Sequence, residues 1–99
     1  MIDRIQRTRK KGSHLPPFTV CVSRGTRWGN KYKMEKEEDR ERVISLFREW
    51  IYSDRQEQLR KDFVLWCKYV GAEHIACFCP VDKPCHGDVW IEIYNEALT

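Results

Sequence analysis

One stretch, Glu73 to Val89, restricts the fold of this chain more than any other. It opens with a short apolar run, His74 to Cys79, of the kind that forms a buried strand. Pro80 and Pro84 then bracket a turn, because neither can donate a ladder hydrogen bond. Beyond Pro84, Val89, Trp90, Ile93, Tyr94 and Ala97 recur at helical spacing, so a closing helix is predicted to about Leu98. Cys85 and His86 fall where that helix begins. A helix start presents unpaired N–H groups and a positive dipole end, which favour a phosphate from outside or a thiolate from within.

The rest of the chain supplies partners for this unit. Phe18 to Val22 is rich in β-branched residues and reads as the first strand, entered through Leu15-Pro16-Pro17. Glu35 to Tyr52 reads as a helix, with Val43, Phe47, Trp50 and Ile51 on its apolar stripe and acidic residues in its first turns. A second helix runs from about Gln56 to Val70, its apolar face made of Leu59, Phe63, Trp66, Cys67 and Val70, with Gly71 as the residue that ends it. The aromatic residues of both helices are expected in the core. Lys31 to Met34 is expected at most as a short edge strand. With two helices between them, the strands 18–22 and 74–79 should be parallel neighbours. The expected fold is α/β: a small, single-domain, Rossmann-like arrangement over residues 1–99, with a short, mainly parallel sheet flanked by helices. Residues 1–14 are expected as a basic N-terminal arm.

Composition limits the alternatives. The 99 residues have room for one domain, and no apolar run approaches the length of a membrane span. No apolar segment follows the N-terminus, and five cysteines are an odd number at uneven spacing. Both features suggest reduced thiols and a cytoplasmic location, without membrane association. Charge is divided unevenly. Residues 1–33 carry nine Lys/Arg against Asp3 alone, and the remainder carries nine against fourteen Asp/Glu. The basic third could meet phosphates or simply attract the acidic remainder.

The loop after the first strand, Ser23 to Asn30, carries the chemistry that binding would need. Gly25 and Gly29 bracket Thr26, Arg27 and Trp28, and Arg24 precedes them. Arginines can fork onto phosphate, the indole offers a stacking face, and Asn30 and Thr26 offer hydrogen bonds. The same residues also suit a tight turn with solvated arginines and a core tryptophan. Ligands of open parallel sheets bind beyond the carboxyl ends of the strands, and both this loop and the 80–88 loop lie there. Cys85 could be a nucleophile with a lowered pKa and His86 its base, or Cys85 could be a small buried cap. Cys77, Cys79, Cys85 and His86 are four potential metal ligands, but Cys77 and Cys79 on one strand would be about 7 Å apart, and adjacent Cys85 and His86 would point apart. No metal and no cofactor are therefore expected.

Six short segments together resemble the domain of unknown function 4326 family, small proteins of phages and bacteria. They are Ile5 to Arg9, Leu15-Pro16, Thr19-Val20, Arg27-Trp28-Gly29-Asn30, and Cys77-Phe78-Cys79-Pro80 followed by Pro84-Cys85-His86-Gly87-Asp88-Val89. The resemblance spans nearly the whole chain. It departs from the family pattern at Lys31, where proline usually follows Trp-Gly-Asn. A shorter likeness, at the Cys-His turn, is to the domain of unknown function 488 family, whose members look Rossmann-like. The main resemblance implies a site built from Arg27, Trp28, Asn30, Cys79, Cys85, His86 and Asp88, in the host-cell cytoplasm if phage-encoded. It names no substrate.

The expected function is binding of a phosphate-bearing, nucleotide-like small molecule between the two loops, by Arg24, Thr26, Arg27, Trp28, Asn30, Cys79 and Asp88. The protein would either sequester that molecule or act on it through Cys85 and His86. Two other readings stay open: a nucleic-acid-binding module using the basic third, and a protein-binding phage accessory protein. The acidity of residues 34–99 argues against a long nucleic-acid track. Homo-oligomerisation is left open.

Overall fold

The computed structural model describes residues 2–99. Three strands, β1 (Asp3–Gln6), β2 (Thr19–Cys21) and β3 (His74–Cys77), form one parallel sheet in the order β1-β3-β2. Three helices, α1 (Arg40–Ile51), α2 (Glu57–Val70) and α3 (His86–Ala97), pack around it. Helix α3 contacts β1 and β3, α2 contacts β2, and the helices contact one another. The chain is thus an α/β domain with a three-stranded parallel sheet. No helix among the described residues is long and apolar enough to cross a membrane.

The neighbouring parallel strands expected from the sequence are present, with Thr19, Val20 and Cys21 opposite His74, Ile75 and Ala76. Both are shorter than expected. Phe18 lies at φ 60°, a left-handed conformation that takes it out of the ladder. Its carbonyl still accepts from the N–H groups of Glu73 (2.8 Å) and His74 (3.3 Å). At the other end β3 stops at Cys77, and Phe78 and Cys79 bend away.

The N-terminal residues correct the reading of a basic arm. Asp3 to Gln6 pair with His74 to Cys77 as β1, which makes β3 the central strand. Ile2 is buried, and Arg7 N–H extends the ladder to Cys77 O at 2.7 Å. Residues 31–34 form no strand, because Asn30 Oδ1 accepts Tyr32 N–H (2.8 Å) and turns the chain. Helix α1 starts later than expected. A 3₁₀ turn, Glu37–Asp39, precedes it, and Asp39 Oδ2 accepts from the N–H groups of Glu35 and Lys36. Helix α2 ends as predicted: Gly71 adopts φ 70°, and Ala72 N–H closes onto Cys67 O at 2.9 Å.

An aromatic cluster fills the core. Phe63 stacks on Trp90 with centroids 4.2 Å apart, and Trp28 meets both edge-on at 5.2 and 5.7 Å. Phe47 contacts Trp90 and the His86 ring. Trp66, expected in the core, is instead exposed beside Leu65 and Tyr69, with its ring stacked on that of Tyr69. Helix α2 buries the face of Phe63 and Cys67, and Trp66, three residues beyond Phe63, falls outside that narrow stripe.

Candidate functional site

A cleft of about 250 Å³ opens at the carboxyl ends of β2 and β3. The residues after β2 supply Ser23, Arg24 and Asn30, and the β3–α3 connection supplies Phe78, Cys79, Pro84, Cys85 and His86. Helix α1 contributes Arg40, Val43 and Ile44, and Arg9 comes from the segment after β1. This is where an open parallel sheet is expected to hold a ligand.

The helix start at Cys85 is built by reciprocal capping. Cys85 Sγ accepts Gly87 N–H (3.4 Å), and Asp88 Oδ2 accepts Cys85 N–H (3.1 Å). Asp88 also pairs with Arg4, whose guanidinium donates to the carbonyls of Cys79, Pro80, Val81 and Lys83. One arginine on β1 thereby fixes the whole 79–83 turn. Gly87 leaves room for this close approach: a Cβ there would lie 3.1 Å from Arg4 Cδ and 3.4 Å from Val22 Cγ2, and the Arg4 stem would have to give way slightly.

His86 is buried, and its Nε2 is 2.5 Å from Val22 O. A carbonyl can only accept, so Nε2 carries the hydrogen. Burial lowers the His86 pKa and favours the neutral ring, which leaves Nδ1 as a bare acceptor 3.6 Å from Cys85 Sγ. The pair meets in space, as a nucleophile and base must. However, Cys85 is only 1% exposed and caps the helix.

Three thiols converge here. The Sγ atoms of Cys77, Cys79 and Cys85 all lie within 4.8 Å of one another, with Cys77 and Cys79 at 3.9 Å. The expectation that Cys77 and Cys79 would stand a strand repeat apart fails because β3 ends at Cys77. The turn that follows brings the second sulfur back onto the first. The three thiols are shifted in opposite directions. Hydrogen bonds from Cys77 and Cys85, aided by the Arg40 guanidinium, hold the Cys79 pKa well below the usual thiol range. Hydrogen bonding to Cys79, together with burial, raises that of Cys77, and hydrogen bonding to Cys77 and Cys79, together with burial, raises that of Cys85. Cys79 is half-buried and on the cleft wall, and of the three thiols it is the one whose pKa is lowered.

Of the residues singled out in the sequence, the cleft gathers Arg24, Asn30, Cys79, Cys85 and His86. Asn30 serves the fold as well, donating from Nδ2 to Val43 O at 3.2 Å. Thr26 closes the loop by donating to Ser23 O, and Asp88 caps α3. Arg27 and Trp28 are not brought to the cleft. Arg27 pairs with Asp62 of α2 beside Trp66 and Tyr69, and the Trp28 ring is buried against Phe63 and Trp90. The expectation of a shared Arg27–Trp28–Cys85 site is therefore corrected: Trp28 stacks on the core, and Arg24 is the loop arginine that faces the Cys-His turn.

Arg9, Arg40, Ser23 and Phe78 were not singled out. Arg7 and Arg9 lie over the Phe78 ring at 4.6 and 4.0 Å, and Arg7 also donates to Ser23 Oγ at 2.6 Å. Their basic character was visible in the sequence, but their destination depends on β1 being a strand. Arg40 donates two hydrogen bonds to Glu37, whose pKa falls to about 2 chiefly through this bond, and a third to Pro84 O. Among the described residues, Arg7, Arg9 and Arg24 have no carboxylate within salt-bridge distance.

The family model of the domain of unknown function DUF4326 matches residues 5–96, and the chain belongs to that family. No curated protein and no solved structure matches the chain.

Proposed function

We propose that this DUF4326 protein binds a phosphate-bearing, mononucleotide-like small molecule in the cleft between the Ser23–Asn30 loop and the Cys79–His86 turn. The observation that carries the reading is the pairing of Arg24 and Arg9, which have no carboxylate partner among the described residues, with an apolar wall at the carboxyl ends of parallel strands. The arginines suit a phosphate, and Val43, Ile44 and Met34 suit the less polar remainder of the ligand. A cavity of about 250 Å³ is at the small end for organic ligands, which favours a mononucleotide over a dinucleotide.

Thermal unfolding with AMP, ADP, cyclic mononucleotides, ADP-ribose and inorganic phosphate tests the reading. A ligand at a hundredfold excess over its Kd stabilises by about 2.7 kcal/mol, an upward shift of roughly 10–20 °C for a domain of this size. Arg24→Ala should remove the shift and leave the unliganded transition within about 1 kcal/mol, because Arg24 is exposed. If none of these probes raises the transition, or if Arg24→Ala responds like the parent, the reading fails.

A further inference from the structure

We infer that Cys77, Cys79 and Cys85 form a three-thiolate site for a zinc ion whose fourth coordination position opens onto the cleft. Zinc bound to sulfur at about 2.3 Å in a tetrahedron separates its sulfurs by about 3.8 Å. Cys77 and Cys79 Sγ are already 3.9 Å apart, and no sulfur pair in the cluster exceeds 4.8 Å. Closing onto an ion therefore needs side-chain shifts of under about 1 Å, with no change in β3 or α3. The three sulfurs come from the end of β3, the turn after it and the cap of α3, and Arg4 locks that turn to β1. The ligand set is thus prearranged by backbone that is already hydrogen-bonded.

Charge and chemistry agree with this assignment. Three thiolates around a divalent ion leave one net negative charge. The Arg40 guanidinium beside Cys79 and the Gly87 N–H on Cys85 Sγ are placed to offset it. Soft, clustered sulfur donors select zinc over magnesium or calcium, which take oxygen. All three cysteines line the cleft wall, so the geometry is that of three protein ligands with one open position rather than a closed structural knot. His86 Nδ1, 3.6 Å from Cys85 Sγ, is a nitrogen donor at the edge of the cluster. The assignment does not depend on the mononucleotide reading, because the metal alone tests it.

The experiment is an anaerobic cobalt(II) titration of the reduced, full-length chain, followed by displacement with zinc. The expected result is a thiolate-to-cobalt charge-transfer band, with the visible intensity of tetrahedral cobalt, saturating at one equivalent and bleached by zinc. Cys79→Ser should weaken zinc binding more than the roughly 10–100-fold typical of losing a group that merely supports a ligand. Cys21→Ser, on β2 and outside the cluster, should bind as the parent does. The wild-type titration keeps the test independent of whether a cysteine variant folds. The inference is overturned if natively folded, reduced protein gives no cobalt–thiolate band. Equal loss in Cys21→Ser and Cys79→Ser would also overturn it, as would a Cys77–Cys79 disulfide in the isolated protein with no metal.

Discussion

Replacing Arg4 with methionine tests whether one side chain on β1 holds the turn that shapes the cleft. The guanidinium side chain is 7% exposed and reaches Asp88 Oδ1 (2.8 Å), Cys79 O (3.4 Å), Pro80 O (3.2 Å), Val81 O (3.2 Å) and Lys83 O. These contacts do not count equally. Asp88 is about half exposed, so its ion pair contributes at most about 1 kcal/mol. The bonds to Val81 and Lys83 lie at the surface, where water replaces much of what is lost. Cys79 O and Pro80 O share one part-buried guanidinium nitrogen, Nη1, and a charged hydrogen bond there contributes about 1.5–3 kcal/mol. Methionine keeps the apolar stem that lies against Gly87. The expected loss is about 2–4 kcal/mol, read as a lower urea midpoint at unchanged slope. Amide exchange in residues 79–85 should rise beyond that of the α2 core, because the turn loses its tether before the domain does. Arg4→Lys should recover only the ion-pair share, since an ammonium cannot fork across several carbonyls. A loss below about 0.5 kcal/mol in Arg4→Met, with exchange in the turn unchanged, would refute the reasoning.

Two further outcomes follow from the core. Trp28→Ala should cost about 3–5 kcal/mol by denaturant titration, as expected for truncating a buried indole packed on Phe63 and Trp90; a loss below about 1 kcal/mol would contradict its place in the core. Burial pushes the Cys67 thiol from an ordinary value of 9.0 up to about 12, so its folded pKa exceeds its unfolded one. The associated stability is complete below pH 9 and is lost at about 1.4 kcal/mol per pH unit between the two values. The parent should therefore lose about 1.4 kcal/mol more than Cys67→Ala between pH 8 and pH 10, and parallel losses would show that the thiol does not titrate this way.

The elements with a strong apolar period were legible in the sequence. Val43, Phe47 and Ile51 announce α1, Phe63 and Cys67 announce α2, and Val89, Trp90 and Ile93 announce α3, all of them buried. Strand β1 had no such signal. Asp3-Arg4-Ile5-Gln6 is polar because it lies at a sheet edge, with only Arg4 and Ile5 partly covered. Its identity as a strand comes from the partner, β3, some seventy residues away. The same gap hid the destination of Arg7 and Arg9, which reach the cleft region only because β1 delivers them. In the Ser23–Asn30 loop the residue types pointed to binding, but irregular backbone has no period from which to read direction. Arg24 and Arg27 therefore looked equivalent, although one lines the cleft and the other pairs with Asp62.

The cysteines show how a correct local reading leads to a wrong distance. Treating His74 to Cys79 as one strand puts alternate side chains on one face about 7 Å apart, too far to share an ion. What determines the spacing is where the ladder stops. Arg7 N–H takes Cys77 O in the last β1–β3 bond, and among the described residues no further strand pairing follows on that side. Pro80 lacks an N–H and cannot resume pairing, and Arg4 gathers the carbonyls of residues 79–81 and 83 into a turn. The bend moves Cys79 Sγ to 3.9 Å from Cys77 Sγ and brings both within reach of Cys85. The donor that forces the bend sits at position 4, so no reading confined to residues 73–89 contains it. The three-sulfur cluster is thus a property of the sheet order β1-β3-β2, in which β1 supplies both the last ladder bond and the arginine.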